Sequence, residues 1–248
     1  MKIAFLGKRE CEIFSFLEQR YEVMQTEDLV SPSQISHFGP EIIISFGYRH
    51  IINKPIIEEY EGRIINLHIS YLPWNRGASP NLWSVVDKTP KGITIHLIDE
   101  GVDTGDIIFQ RIVPMEEGLT LRESYLLLQN EIQYLFKEKW NEIKSLDFSP
   151  VKQNFEEGTF HTIKETEEYM EKIGIDDWDI EIGELIMRSD EEIINEIQEI
   201  RAKNNTHWMD IVKLAFEISP VESRKIFKEI KNCDEKVNVL LKELAEND

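Results

Sequence analysis

Residues 63–110 read RIINLHISYLPWNRGASPNLWSVVDKTPKGITIHLIDEGVDTGDIIFQ, and the apolar runs within this stretch predict neighbouring β-strands. Asn66 and His68 lie two positions apart at the end of the first run, and such residues point to the same face of a strand. Asp103 follows a later run, in a glycine-rich loop that is short enough to return its carboxylate over the neighbouring strand end. The pattern therefore predicts an amide, an imidazole and a carboxylate at the edge of the sheet where open α/β sheets bind ligands.

Each of these three side chains also has a structural interpretation. A single histidine at a strand end is usually a structural residue, an asparagine there can cap a turn, and an aspartate beside glycine favours turns. The three residues together are harder to explain by packing alone. From the residues by themselves, a catalytic site and a structural cluster remain equally good hypotheses.

The surrounding sequence predicts an α/β fold. Short runs rich in β-branched and aromatic residues alternate with spans of helical periodicity, which is typical of βα units around a mostly parallel sheet. The strand-like runs lie at 3–6, 21–24, 42–46, 64–68 and 93–98. Beyond residue 150 the chain becomes irregular and then acidic. We therefore predict a domain at 1–150, followed by an acidic, mostly helical C-terminal region at 151–248.

The charge distribution argues against a nucleic-acid partner. The chain has 28 basic and 47 acidic side chains, a formal net charge of −19. Residues 156–199 contain 16 of the acidic and 3 of the basic side chains, and such a surface repels a polyanion.

Other features of the composition favour a soluble cytoplasmic protein without a membrane partner. No window approaches the roughly 20 apolar residues that span a bilayer, and the first residues lack the pattern of a signal peptide. The two cysteines, Cys11 and Cys233, are too far apart in the sequence to suggest a disulfide framework.

Two motifs in the quoted stretch, NLHISYLP at 66–73 and DEGVDTGD at 99–106, resemble the signature of the folate-dependent formyltransferases. That signature is an Asn-x-His pair that leads into Ser-x-Leu-Pro, followed by an aspartate in a glycine-rich loop. The resemblance covers roughly residues 1–150. It implies a Rossmann-like catalytic domain that uses N10-formyltetrahydrofolate as co-substrate and requires no metal.

The resemblance also implies roles for the site residues. When an amine attacks the formyl carbon, the developing oxyanion needs a hydrogen-bond donor and the amine proton needs a base, roles implied for Asn66 and His68. Asp103 would hold the imidazole in the correct tautomer and stabilise its charged form. The folate would lie against the Asp103 loop and the loop after the third strand, although the latter also fits an ordinary βα turn. The predicted folate contacts are Phe46, Tyr48, Ile51 and Asp103.

Features outside these motifs favour an amino-sugar acceptor. Trp74, Arg76 and the segment 158–161 resemble the sugar N-formyltransferases, which act on nucleotide-linked amino sugars made for surface polysaccharides. We expect Arg76 to pair with a pyrophosphate and Trp74 to stack on a ring, although a structural Trp/Arg corner fits equally well. A methionyl-tRNA formyltransferase, a formyl-folate deformylase and a non-catalytic folate or sugar-nucleotide binder remain alternatives.

Two further predictions concern residues outside the expected site. His96 alternates within a strand and is predicted to lie in the core or on the sheet surface. The tail carries an apolar stripe at helical spacing that packs on its own domain or forms a homodimer contact. This stripe consists of Trp208, Ile211, Val212, Ala215 and Phe216.

Overall fold

The computed structural model describes residues 1–116, 118–174, 178–185 and 190–246. It divides into two units, Met1–Met187 and Arg188–Asp248. This division falls later than the predicted boundary at residue 150. The physical reason is that residues after 150 pair with the first unit, beginning with a β-bridge between Ile107 and Val151.

The first unit is built on a mixed, mainly parallel sheet. Its strands are β1 (Lys2–Gly7), β2 (Glu22–Thr26), β3 (Ile42–Phe46), β4 (Ile64–His68), β5 (Arg76–Gly77), β6 (Gly92–Leu97), β7 (Ile107–Ile112) and β8 (Phe160–His161). Six of them form one sheet in the order β2-β1-β3-β4-β6-β7, and β5 pairs with β8 in a second, two-stranded sheet. The first four strands are parallel, whereas β6 and β7 are antiparallel to their neighbours. The predicted α/β fold is confirmed.

Helices cover both faces of the large sheet. In chain order they are α1 (Glu12–Glu18), α2 (Pro32–Phe38), α3 (Lys54–Glu59), α4 (Pro80–Val86), α5 (Leu121–Glu138), α6 (Trp140–Ser145), α7 (Ile163–Ile173) and α8 (Ile182–Leu185). Ile3 and Phe5 of β1 pack with α1, α5 and α6, whereas Ala4 and Leu6 pack with α2 and α3. Because β3 is buried on both faces, its sequence is a nearly continuous apolar run, interrupted by Ser45 alone, rather than an alternation.

The central strand β4 places polar residues beside this core. Its Ile65 and Leu67 belong to the core under α1 and α5, so Asn66 and His68 point to the opposite face. In the antiparallel register with β6, Asn66 lies opposite His96 and His68 lies opposite Thr94. Cross-strand neighbours in such pairs are close enough for their side chains to interact.

Residues after 150 complete the first unit. Strand β8 pairs in parallel with β5, and the His161 ring stacks on the indole of Trp83 with ring centroids 3.9 Å apart. Trp83 Nε1 donates to Thr166 Oγ1 at 3.0 Å, which ties α7 to α4. Leu185 of α8 is fully buried against α4 and α5.

The second unit is a helical hairpin of α9 (Asp190–Ile218) and α10 (Pro220–Glu246). The sequence predicts helices near 206–218, 220–231 and 234–245, but α10 continues without a break from 220 to 246. In the predicted apolar stripe, Ala215 and Phe216 are half-buried, whereas Trp208 and Ile211 are exposed. None of the helices among the described residues is long and apolar enough to cross a membrane.

Candidate active site

A cleft of about 540 Å³ opens at the C-terminal end of β4, where Asn66 and His68 lie. Its walls come from the loop after β3, the end of β4, the loop at 99–105, and the paired strands β5 and β8. The predicted catalytic and folate-binding residues all line this cleft. They are Asn66, His68, Asp103, Phe46, Tyr48 and Ile51.

The amide of Asn66 is held by two neighbours. Its Nδ2 lies 3.1 Å from His96 Nε2 and donates to Asp103 Oδ1 at 3.2 Å. His96 Nδ1 lies 2.7 Å from the Leu97 carbonyl oxygen, and only a protonated Nδ1 can donate to a carbonyl. In the neutral imidazole Nε2 is therefore the acceptor for Asn66, and both hydrogens of the Asn66 amide are engaged.

The tautomer of His68 is fixed by the backbone rather than by a carboxylate. His68 Nε2 lies 3.1 Å from the Asn75 carbonyl oxygen, to which it donates, whereas Nδ1 lies 3.7 Å from Asp103 Oδ2. Neutral His68 therefore presents an unprotonated Nδ1 beside the Asp103 carboxylate. The tautomer role expected for Asp103 falls to Asn75, and Asp103 is placed to stabilise the protonated ring.

Asn75 is itself locked in place. It is fully buried and adopts a left-handed φ of 57°, which asparagine tolerates better than most residues. Its Nδ2 donates to Thr89 Oγ1 at 2.7 Å, and Thr159 Oγ1 donates to its Oδ1 at 3.1 Å while accepting from its backbone N at 2.8 Å. These contacts aim the Asn75 carbonyl at His68.

The loop at 99–105 presents Asp103 to both histidines. Gln153 Nε2 donates to the backbone oxygens of Asp103 and Gly105 at 2.9 and 2.7 Å, which fixes the loop from below. A Cβ on Gly105 would lie 1.9 Å from the Leu97 carbonyl oxygen, so the loop requires glycine there. The glycine-rich sequence thus serves the close approach of the loop to β6.

The Asp103 carboxylate is ionised in this setting. Burial by itself raises the pKa of Asp103, but the positive charge that His68 and His96 carry when they are protonated and the backbone N–H of Gly77 together hold it well below its usual range. Gly77 N donates to Asp103 Oδ2 at 2.9 Å. The site therefore keeps a fixed negative charge next to His68 Nδ1.

The predicted folate-binding loop forms one wall of the cleft. The Tyr48 hydroxyl donates to the Asp28 carbonyl at 2.8 Å and accepts from Val30 N at 3.0 Å, so it anchors this loop to the segment after β2. Ile51 is 77% exposed and Val102, on the Asp103 loop, is 44% exposed. Two exposed apolar side chains, one on each loop, thus line the cleft.

Trp74 and Arg76 lie beside the cleft. The Trp74 ring stacks on Tyr71 with centroids 6.0 Å apart, and the Arg76 guanidinium lies over the Phe155 ring at 4.8 Å. The neighbouring Gly77 lines the cleft. Stacking of Trp74 on a ring and pairing of Arg76 with a pyrophosphate remain predictions.

Sequence reasoning missed Asn75, His96 and Gln153 as parts of the site, and it indicated His161 only as part of the segment 158–161. His96 is buried as expected, but it contacts Asn66 and lies 3.5 Å from Asp103 Oδ1. A prediction that the strands at 64–68 and 93–98 pair in antiparallel fashion would have placed His96 opposite Asn66.

Comparison with known proteins supports the architecture of the site. The formyl transferase family model matches residues 9–135, which is 127 of 248 residues. The structure of the formyltransferase PseJ from Anoxybacillus kamchatkensis, in complex with UDP-4,6-dideoxy-4-formamido-L-AltNAc and tetrahydrofolate, is 43% identical with a TM-score of 0.71, and the match covers 75% of this chain and 98% of that chain. An N-formyltransferase from Helicobacter canadensis shares the fold at 20% identity, with a TM-score of 0.57 over 66% of this chain and 71% of that chain.

Curated relatives match a similar part of the chain. The methionyl-tRNA formyltransferase of Caldanaerobacter subterraneus subsp. tengcongensis is 30% identical over 168 residues, which cover 66% of this chain and 53% of the relative. The chain spans about half the length of the curated relatives it matches. The family match extends over half of the chain, and PseJ is matched over almost its whole length. The chain therefore belongs to the formyl transferase family.

Proposed function

We propose that the protein transfers the formyl group of N10-formyltetrahydrofolate to the amine of a nucleotide-linked amino sugar. The observation that carries the proposal is the cluster of Asn66, His68 and Asp103 in one cleft, with an unprotonated His68 Nδ1 beside a carboxylate. PseJ, at 43% identity, was crystallised with a formamido sugar nucleotide and tetrahydrofolate, which supports both the donor and the acceptor class.

The reaction needs one base and one oxyanion donor. The amine nitrogen attacks the formyl carbon, and the bond from that carbon to N10 of the folate breaks after a tetrahedral intermediate. His68 Nδ1 accepts the amine proton, and the fixed charge of Asp103, 3.7 Å away, stabilises the imidazolium. The same proton is then available for N10 of the departing tetrahydrofolate.

Asn66 is the proposed oxyanion donor. One of its amide hydrogens is held by His96, and the other forms the longer, 3.2 Å hydrogen bond to Asp103. When negative charge develops on the formyl oxygen, this second N–H exchanges its hydrogen bond to Asp103 for one to the oxyanion. His96 keeps the amide in position during this exchange.

The two walls of the cleft suit the two substrates. Ile51 and Val102 are apolar and exposed at the folate side, which fits a pteridine between the two loops. On the other side, β5 and β8 present Gly77, Phe160 and His161 to the acceptor.

Arg76 is proposed to hold the pyrophosphate of the acceptor. No described carboxylate forms an ion pair with its guanidinium, which lies against Phe155 at the acceptor side. An arginine without a carboxylate partner retains its charge-assisted donors for a phosphate.

A tRNA acceptor is the main alternative, because the curated relatives are methionyl-tRNA formyltransferases. The charge of this chain argues against it, since a net charge of −19 with a strongly acidic segment at 156–199 repels a polyanion. We therefore propose a small nucleotide sugar, with a UDP-linked 4-amino-4,6-dideoxy sugar as the first compound to test.

The test supplies N10-formyltetrahydrofolate with one acceptor at a time and detects the product by mass spectrometry. A product heavier than the amino sugar by one CO, formed at the rate of tetrahydrofolate release, is the expected result. Formate release without any acceptor would instead indicate a deformylase, and formylation of methionyl-tRNA would indicate the tRNA enzyme. Binding of both ligands with no product would identify a non-catalytic binder.

A further inference from the structure

Helix α10 carries a heptad repeat of apolar residues. Its positions alternate at spacings of three and four residues, which is the pattern of a helix that packs along its length against other helices. The repeat begins at the polar, buried Ser223 and continues through the apolar residues Ile226, Ile230, Cys233, Val237 and Leu240. Phe227 and Leu241 follow two of these positions directly and widen the apolar stripe.

The stripe is exposed along most of α10. Within the hairpin, the two helices meet near the turn, where the rings of Phe216 and Phe227 lie 5.4 Å apart and Ser223 Oγ donates to the Ala215 carbonyl oxygen at 2.8 Å. Every described side chain at 224–242 is exposed, including Ile230 at 47% and Leu240 at 63%.

An uncovered stripe of this length is unstable in water. Isolated helices gain most of their stability from tertiary packing of the apolar face, not from propensity. Because this stripe is wider than the two positions per heptad that one partner helix covers in a coiled coil, more than one neighbouring helix is required to bury it. The hairpin supplies one neighbour, α9, which itself exposes Trp208, Ile211 and Leu214.

The exposed apolar surface has the size of a protein interface. Fourteen large apolar side chains at 200–241 are each at least 39% exposed. Burying one such side chain stabilises a protein by about 1.5–3 kcal/mol, and at about 25 cal/mol per Å² this corresponds to roughly 60–120 Å² of buried surface. Half of that area for each of the fourteen gives roughly 400–800 Å² per copy, against about 800 Å² per partner in a standard interface.

The charge of α10 makes a second copy the fitting occupant. The helix has six basic and six acidic residues, whereas the chain as a whole is at −19. Two copies of α10 therefore meet without net repulsion. Helix α9 has seven acidic and three basic residues, five of the acidic ones at 190–199, so the contact between copies is centred on α10. Only Asp234 places a charge within the stripe.

The hairpin belongs to the second unit, Arg188–Asp248, whereas the candidate active site lies in the first, Met1–Met187. We propose that α9 and α10 dock on the same hairpin of a second copy and form a four-helix bundle that joins two catalytic units.

The test compares the mass of the full chain in solution with that of two matched variants. Light scattering after size exclusion should give twice the chain mass for the wild type and one chain mass for Val237→Asp. Asn238→Asp introduces the same side chain one residue later, outside the stripe, and should stay dimeric. Circular dichroism and the unfolding transition of the first unit establish that each variant is folded.

The thiol of Cys233 gives a second readout, because it lies within the stripe. In the wild type its reaction with a thiol reagent should be slow and should accelerate on dilution, and in Val237→Asp it should be fast at all concentrations. A monomeric wild type overturns the proposal at either rate of Cys233 reaction. A reactive Cys233 then means that the stripe stays exposed, and a protected Cys233 means that the stripe packs on its own chain. A dimer that survives Val237→Asp also overturns it, because the contact then lies elsewhere.

Discussion

Asp103→Asn tests the electrostatic part of the proposed mechanism. The substitution keeps the size of the side chain and leaves an oxygen that can accept from Gly77 N, but it removes the negative charge 3.7 Å from His68 Nδ1. Two unit charges at that distance attract by about 4 kcal/mol at an effective dielectric of about 20, and by about 1 kcal/mol in bulk water. Since each 1.36 kcal/mol changes a rate about tenfold, kcat should fall roughly 5- to 1000-fold.

The buried position of Asp103 places the expected loss of kcat near the upper end of this range. KM should change little, because the carboxylate acts on a charge that develops only in the transition state. Steady-state kinetics of formyl transfer at saturating folate and acceptor measures both quantities. Asp147→Asn is the matched control, since it makes the same chemical change at an exposed residue outside the cleft and should leave kcat unchanged.

A kcat within about threefold of the wild type would refute the reasoning, because it would mean that no imidazolium forms beside Asp103 during the reaction. A large rise in KM with an unchanged kcat would also contradict it. That result would assign Asp103 to substrate binding instead of transition-state stabilisation.

Three further substitutions test the surroundings of the site and the fold. His96→Phe removes the acceptor for Asn66 Nδ2, a hydrogen bond worth about 1 kcal/mol, so kcat should fall roughly fivefold, and a wild-type kcat would contradict the positioning role. Gln153→Ala removes two hydrogen bonds to the Asp103 loop and should lower the free energy of unfolding in urea by about 1–3 kcal/mol together with kcat. Lys91 has a buried Nζ that makes no hydrogen bond with any described residue, and burial lowers its pKa from 10.5 to about 8. At pH 7 the lysine is charged in both the folded and unfolded states, so Lys91→Met should raise the unfolding free energy by about 1 kcal/mol. Between pH 8 and 10.5 the unfolded chain retains more protons, so the wild type gains stability as pH rises and the advantage of Lys91→Met should shrink; a constant difference across denaturation curves would contradict this assignment.

Local sequence rules account for much of the fold and for the positions of the central site residues. The strand period places Asn66 and His68 on one face, and the glycine-rich loop returns Asp103 to them. The same period, with β-branched runs between helical spans, yields the mostly parallel sheet. These predictions succeed because the strand period and the loop glycines are local signals, although the contact that they produce joins Asn66 to Asp103, 37 residues apart.

Features that depend on distant parts of the chain could not be predicted in this way. The contact of His96 with Asn66 requires the antiparallel register of β4 and β6. The change in composition at residue 150 suggested a domain boundary, but Gln153 and β8 belong to the first unit, where Gln153 donates to the Asp103 carbonyl oxygen and β8 pairs with β5. The composition of a segment indicates its surface charge, whereas the boundary between the two units depends on which strands form backbone hydrogen bonds with each other.

The tautomer of His68 shows how backbone contacts decide the chemistry of a site. A histidine and an aspartate at suitable positions suggest a carboxylate that orients the ring, but the Asn75 carbonyl does this and leaves Asp103 as the counter-charge. Asn75 is held by Thr159, next to β8, and Gly77 of β5 donates to Asp103. Residues in and directly next to the strands that face the proposed acceptor are therefore hydrogen-bonded to the proposed base, His68, and to its counter-charge, Asp103. In the proposed mechanism, a displacement of β5 or β8 would move the proposed catalytic groups with it, so these strands would position the chemistry as well as bind the proposed acceptor.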